Sequence, residues 1–274
     1  MRGKSWAATA VRREDGNIVT EAQRLWTPPA HLSFLRWPVV RGGVALIYSL
    51  VVGMRALSFS AGQFGGEEEE LTTKELIMTF ALALLLGAGL FIVLPTVLMR
   101  WLGRGSNPIL LSLGEGLLRL VIFFLYVVSI SSIKDIRRIF EYHGAEHKVV
   151  YAYEKKGLPL EPADAAEFST LHPRCGTSFL LYVMVVSILL FAFLGWPSLP
   201  LRVLSRLLLL PLVAGLSYEW LRLAGLSKSP LMTLLATPGL WLQKLTTREP
   251  DETQIEVALT ALHEVVRREP EVRL

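Results

Sequence analysis

"LVIFFLYVVSISSIKDIRRIFEYHGAEH", residues 120–147, changes character half-way along. Its opening run, Leu120 to Ile130, has no charged residue and is crowded with aromatic and branched apolar side chains, as a segment in hydrocarbon must be. From Lys134 onward charges recur at helical spacing, and those require water. A stretch that passes from one solvent to the other belongs at a membrane boundary, and this decides the fold class.

Composition agrees. Hydrophobic residues make up 52% of the 274, and the mean hydropathy of +0.44 exceeds that of ordinary soluble chains. The net charge of +4 would suit either nucleic acid or anionic lipid. Its basic residues gather at the ends of apolar runs, which fits a lipid surface and points to no specific nucleic acid. The single cysteine, Cys175, cannot form an internal disulfide, so nothing suggests an oxidising compartment. Met1 to Arg13 is polar and basic without an apolar run, and no cleaved secretory leader is expected.

Outward from the opening stretch, four runs reach the about 20 apolar residues needed to span: 77–99, 110–133, 178–195 and 199–224. Pro211 predicts a kink in the fourth. The stretch 39–62 is apolar but carries Arg55 and several glycines, and it reads as interfacial or re-entrant, closed by "GGEEEE" at 65–70. Upstream, alternating residues 6–25 around Asp15-Gly16 predict a β-hairpin, followed by a proline-rich linker. Downstream, Ile255, Ala258, Leu259, Leu262 and Val266 predict an amphipathic helix in water that needs a partner surface.

The expected fold is therefore mainly α. It is a polytopic helical membrane protein with about four transmembrane helices, an N-terminal cytoplasmic β-hairpin and a C-terminal amphipathic helix. Six segments follow: 1–36, hairpin and linker; 37–76, interfacial or re-entrant helix and acidic loop; 77–133, the first two spans. Residues 134–177 form a cytoplasmic helix and loop, 178–224 the last two spans, and 225–274 the C-terminal region. Lys134, Arg137, Arg138, Lys148, Lys155, Lys156 and Arg174 crowd the 134–177 loop, whereas "WPSLP" at 196–200 has no basic residue. Positive residues stay inside, so the long loop and both termini are expected to be cytoplasmic.

Lys134 to Lys156 reads as one helix continuing out of the second span and ended by Gly157. On it His143 and His147 lie four apart, one turn above another on the same face, with Glu146 beside them. His-x-x-Glu-His is the reversed zincin order, in which the histidines hold zinc and the glutamate acts as base. Downstream, His172 and Cys175 form a second ligand pair in the loop entering the third span. Four ligands, His143, His147, His172 and Cys175, would make a closed structural zinc (Zn2+) site, whereas three would leave room for water and for Glu146 as catalytic base. Two metal-free readings also stand: solvated histidines beside a buried thiol, and a Cys–His nucleophile pair.

Other ionisable residues fall within the apolar runs. Glu115 and Arg119, four apart, could pair in the second span or lie at its outer interface, and Arg202 and Arg206 are expected to snorkel outward. Glu219 reads as an interface residue or as support for a metal ligand.

The strings "YHGAEHK", "HPRCGTSF", "LLLLPLVAGLSYEW" and "PGLWLQKLTTREPDETQIEVA" resemble the YqhQ-like family of bacterial polytopic membrane proteins, a domain of unknown function, over nearly the whole chain. The resemblance implies a bacterial inner-membrane protein, often labelled a metal-dependent enzyme on motif appearance. The family pattern falls on His143, Glu146, His147, His172, Arg174 and Cys175. Family members usually open with a stretch of the type GGQAVMEGVMMRG, and this sequence begins inside its end: either the native start lies upstream of Met1 or the chain lacks the segment, and the site list is incomplete if that segment contributes.

The expected function is that of a zinc-dependent inner-membrane hydrolase with its site at the cytoplasmic face, acting on a membrane-embedded or membrane-adjacent substrate, with Arg174 available for an anionic group. A non-catalytic membrane assembly or ribosome-proximal factor, bound to a protein partner and carrying a structural metal, is the rival. A transporter ranks third, because no paired broken-helix pattern occurs.

Overall fold

A computed structural model describes residues 1–63, 73–103, 107–173, 175–226 and 229–269. The glutamate run at 65–70, Arg104 and Arg174 lie outside the described residues. The helices sort into a water-side layer with its own core and an apolar bundle.

The water-side layer begins with the expected hairpin: β1 (Trp6–Arg12) pairs antiparallel with β2 (Ile18–Arg24), Trp6 facing Arg24 and Arg12 facing Ile18. Gly16 takes the left-handed φ of 86° that the turn requires. The C-terminal helix begins with a capping box, in which Asp251 accepts from the Gln254 backbone N–H at 2.8 Å and Gln254 accepts from that of Asp251 at 3.0 Å.

That helix's partner surface is the helix of Lys134–Lys156. Ile255, Leu259 and Leu262 bury against Ala145, Val149 and Ala152, while Val265 packs on Ala8 of the hairpin. Each such apolar side chain contributes about 1.5–3 kcal/mol when fully buried.

In chain order the helices are α1 (Val40–Ala61), α2 (Thr73–Ala88), α3 (Leu94–Leu102), α4 (Pro108–Ser131), α5 (Lys134–Lys156), α6 (Pro162–Ala166), α7 (Gly176–Ala192), α8 (Leu199–Leu226), α9 (Pro230–Thr246) and α10 (Glu252–Arg268). A π-helical turn, Gly89–Val93, joins α2 to α3. Among the described residues, four helices are long and apolar enough to cross a membrane: Val40–Ala61, Ile77–Leu102, Pro108–Ser131 and Leu199–Ala224. The expected third span is the shorter apolar helix α7, with 17 residues. Leu85, Leu86, Leu125 and Leu208 point outward and exposed, as lipid-facing side chains do.

Two expectations are corrected. α5 does not continue α4, because Ile133 between them is extended (φ −76°, ψ 129°) and breaks the helix. Its end falls at Gly157 (φ 75°), as the sequence reads. Arg202 and Arg206 do not reach outward either. Both are buried and turn inward to Glu115, because an acid without exposure inside an apolar bundle needs a cation.

α1 is unbroken. Its start crosses α8 where Gly42 meets Gly215 with no room for a side chain, and Arg41 clasps Glu219 with two hydrogen bonds of 2.6 and 2.5 Å. Beyond that point α1 follows the hairpin. Tyr48 accepts from the Trp26 backbone at 2.7 Å, Arg2 donates to Ser49 at 2.8 Å, and Arg13 donates to Gln63 at 2.9 and 2.6 Å.

Candidate metal centre

The centre lies at the seam of the two layers. Three segments meet there: the middle of α5, the loop ending in Cys175, and the end of α9. Gly144 makes the meeting possible, since a Cβ there would collide with the Arg248 carbonyl. The backbone after α9 thus runs against α5, with the Arg248 N–H donating to Phe140 O at 2.9 Å. Lys148, also buried, ties α5 to Glu249 at 2.5 Å and to the Ala166 carbonyl at 2.8 Å.

Both α5 histidines are oriented by backbone carbonyls. His143 Nδ1 is 2.8 Å from Thr246 O, and His147 Nδ1 is 2.5 Å from Thr170 O. A carbonyl only accepts, so each Nδ1 carries the hydrogen and each Nε2 is left for the centre, donating to the sulfur when the ring is protonated and offering its lone pair when the ring is neutral. His143 Nε2 lies 3.2 Å from Cys175 Sγ. The ligand atoms of His143, His147 and Cys175 all fall within 4.8 Å of one another, the cluster with that property among the described residues.

Cys175 caps α7, its sulfur accepting from the Thr177 backbone N–H at 3.4 Å. Burial pushes the thiol up, but hydrogen bonds from His143 and His147 outweigh it and bring Cys175 down to about 5. Burial pushes His143 down, and its hydrogen bond with the thiol reverses this, so it is raised. His172 is lowered to about 4 by burial and by the neighbouring His147. A thiolate beside two imidazoles whose Nδ1 hydrogens are already committed is a soft, electron-rich donor set, and it fits zinc.

His172 stands apart from that set. Its ring centre is 5.8 Å from that of His147, and its Nε2 faces Glu154 at 3.5 Å. Its backbone is gripped on both sides by Gln243, which accepts from the His172 N–H and donates to its carbonyl, each at 2.8 Å. Glu146 is exposed on the wall of a cavity of about 510 Å³ that His143, His147, His172 and Cys175 also line. Of the sequence candidates, then, three donor side chains converge, His172 flanks them and Glu146 faces the same space. Arg174 lies outside the described residues. Glu219 pairs with Arg41 and supports no ligand.

Sequence reasoning missed Gln243, Thr246 and Thr170. Gln243 had a readable signal, since it is an uncharged polar residue inside the apolar run "PGLWLQKL". The two threonines act through backbone carbonyls, which no side-chain pattern reports.

Comparison with known proteins adds the family context. The sequence model DUF1385, described as a protein of unknown function, matches residues 37–268. The chain is 35% identical over 289 aligned residues to the uncharacterized protein YqhQ of Bacillus subtilis (strain 168), covering 97% of this chain and 89% of that protein. No solved structure matches.

Proposed function

The chain belongs to the DUF1385 family, and we propose that this member is a zinc-dependent membrane hydrolase centred on His143, His147 and Cys175. The observation that carries the proposal is the ligand count: three donors converge on the wall of an open cavity, the pattern of catalytic rather than structural zinc sites. A zinc ion held there would supply Lewis-acid polarisation and lower the pKa of water. Glu146, exposed on the same wall, is the group that takes a proton from the attacking water. Thr246 and Thr170 hold the two rings in register through their carbonyls. Because the cavity opens at the seam between bundle and water-side layer, its substrate is membrane-adjacent.

The same proposal places the protein in the bacterial inner membrane, with the seam and both termini cytoplasmic, supported by the basic residues of α5. It also lays α1 in the inner interface. The hairpin and its flanking residues contact α1 at Tyr48, Ser49 and Arg55 and reach Gln63 just past its end, which supports a path along the interface.

A structural zinc site is the second reading, favoured by His172. Its ring is close enough to become a fourth ligand on turning from Glu154. Metal analysis of chelator-free protein tests the centre itself: about one zinc per chain is expected, lost in His147→Ala, and absence of metal from the wild type overturns the reading. Complementation of a strain lacking its family member separates the two roles. Glu146→Gln should keep its zinc and fail to complement, whereas full complementation removes Glu146 as base.

A further inference from the structure

The bundle contains a second polar cluster with opposite chemistry. Glu115 has no exposed surface and three arginines surround it. Arg119, one turn along α4, donates to its carboxylate at 2.9 Å; Arg206 of α8 pairs with the same oxygen, and Arg202 lies 3.6 Å from the other. One carboxylate against three guanidiniums leaves two positive charges uncompensated, and among the described residues no second acid pairs with them.

Neutral neighbours satisfy donors without cancelling that charge. Arg119 Nε donates to the Phe91 carbonyl at 2.7 Å, a group faced four residues on by Pro95, which has no N–H to offer. Arg202 donates to Pro197 O at 2.9 Å and lies over the Trp196 ring at 3.4 Å. A surplus of buried positive charge in an apolar medium is costly unless an anion joins it.

A cleft leads to these charges. Its volume is about 200 Å³, its walls are the apolar side chains of the π-helical turn, α7 and α8, and its charged liners are Arg119 and Arg206. Ser187, at its edge, is 3.5 Å from Arg119. A polar floor of two guanidiniums under apolar walls matches an amphiphile with an anionic head. Along α7 the cleft lies about 18 Å from Cys175, at 1.5 Å per residue over the steps to Ser187, so it is separate from the metal centre.

We propose that this cleft binds the phosphate head of an anionic membrane lipid, with Arg119 and Arg206 as its partners and the acyl chains leaving between α7 and α8. Full-length protein in nanodiscs of phosphatidylcholine with a minority of phosphatidylglycerol provides the test, read by native mass spectrometry as lipid retained on release. One phosphatidylglycerol per chain is expected, and Leu210→Trp, which fills the cleft without altering an ion pair, should reduce its retention at least tenfold. Arg206→Gln should do the same, but Leu210→Trp carries the decision if that variant fails to fold. Inorganic phosphate added to delipidated protein in detergent distinguishes the sources of the shared head chemistry. A melting temperature raised by phosphate, with nothing further from lipid, assigns the site to a soluble anion. Retention of the two lipids at their mixing ratio, with no response to phosphate, overturns the proposal, and wild-type retention by Leu210→Trp overturns the cleft as its place.

Discussion

The seam and the bundle each bury a polar cluster, and the two are electrical opposites. At the seam, His143, His147 and Cys175 bring electron-pair donors together. In the bundle, Arg119, Arg202 and Arg206 bring positive charge together around the one acid Glu115. The histidines are aimed by backbone carbonyls from other segments, so their geometry depends on how the layers dock. The arginines share one acid and are held besides by the Phe91 and Pro197 carbonyls and by Thr96, all within the bundle, so their geometry depends on the bundle alone. The electrical character of a buried cluster says what kind of partner suits it, and the source of its scaffolding says which substitution undoes it.

Four substitutions act on the two clusters and their supports to different extents. The largest effect is expected at Glu115→Ala, which strands three arginines. Removing one partner of a buried pair costs about 3–5 kcal/mol, so thermal unfolding in detergent should shift steeply downward, and an unchanged transition would show that the arginines do not depend on Glu115. Gly144→Ala attacks the other cluster by driving the segment after α9 away from α5. Overpacking of this kind costs about 1–3 kcal/mol, and bound zinc should fall together with stability. Gln243→Leu should be comparable or milder. It strips the His172 backbone of both its side-chain partners, at about 1–3 kcal/mol for stranded buried groups, and phosphatidylglycerol retention in the bundle should not change.

The smallest effect belongs to the water-side layer. Asp251→Ala removes the α10 cap and should cost about 1 kcal/mol. A hydrogen bond from Thr253 holds the Asp251 carboxyl below its usual range, against a smaller opposing push from burial. A depressed carboxyl stabilises the fold above its unfolded pKa of about 3.9, and that contribution disappears as pH falls through the folded value. Urea titrations of wild type and variant should therefore differ at neutral pH and converge in acid. A gap that persisted in strong acid would rule out the carboxylate as the source.

Much of this architecture was legible in the sequence because it is periodic. The spans at 77–99, 110–133 and 199–224, the hairpin about Asp15-Gly16, the α10 stripe and the Gly157 stop all follow from local chemistry. The spacing of His143 and His147 was equally plain, and Cys175 could be added by residue type. The four-ligand shell could not be checked that way. Whether His172 joins depends on the Gln243 grip and the Glu154 contact, both made with residues distant in sequence. Arg202 and Arg206 misled for the same reason, since an arginine on an apolar helix can reach outward or inward and only the position of Glu115 on another helix decides.

By itself, then, the sequence determined the solvents. Hydropathy and charge assign each segment to lipid or water because transfer free energy is a property of the residues alone. Only the tertiary structure decided what the polar residues face. It set three side chains that could hold a metal around one cavity and left His172 beside them, and it gathered three arginines on one acid under an apolar cleft. Convergence of that kind comes from tertiary packing, of the segment after α9 against Gly144 and of α4 and α8 on either side of α7, and such packing is set by surfaces that no single stretch of sequence contains.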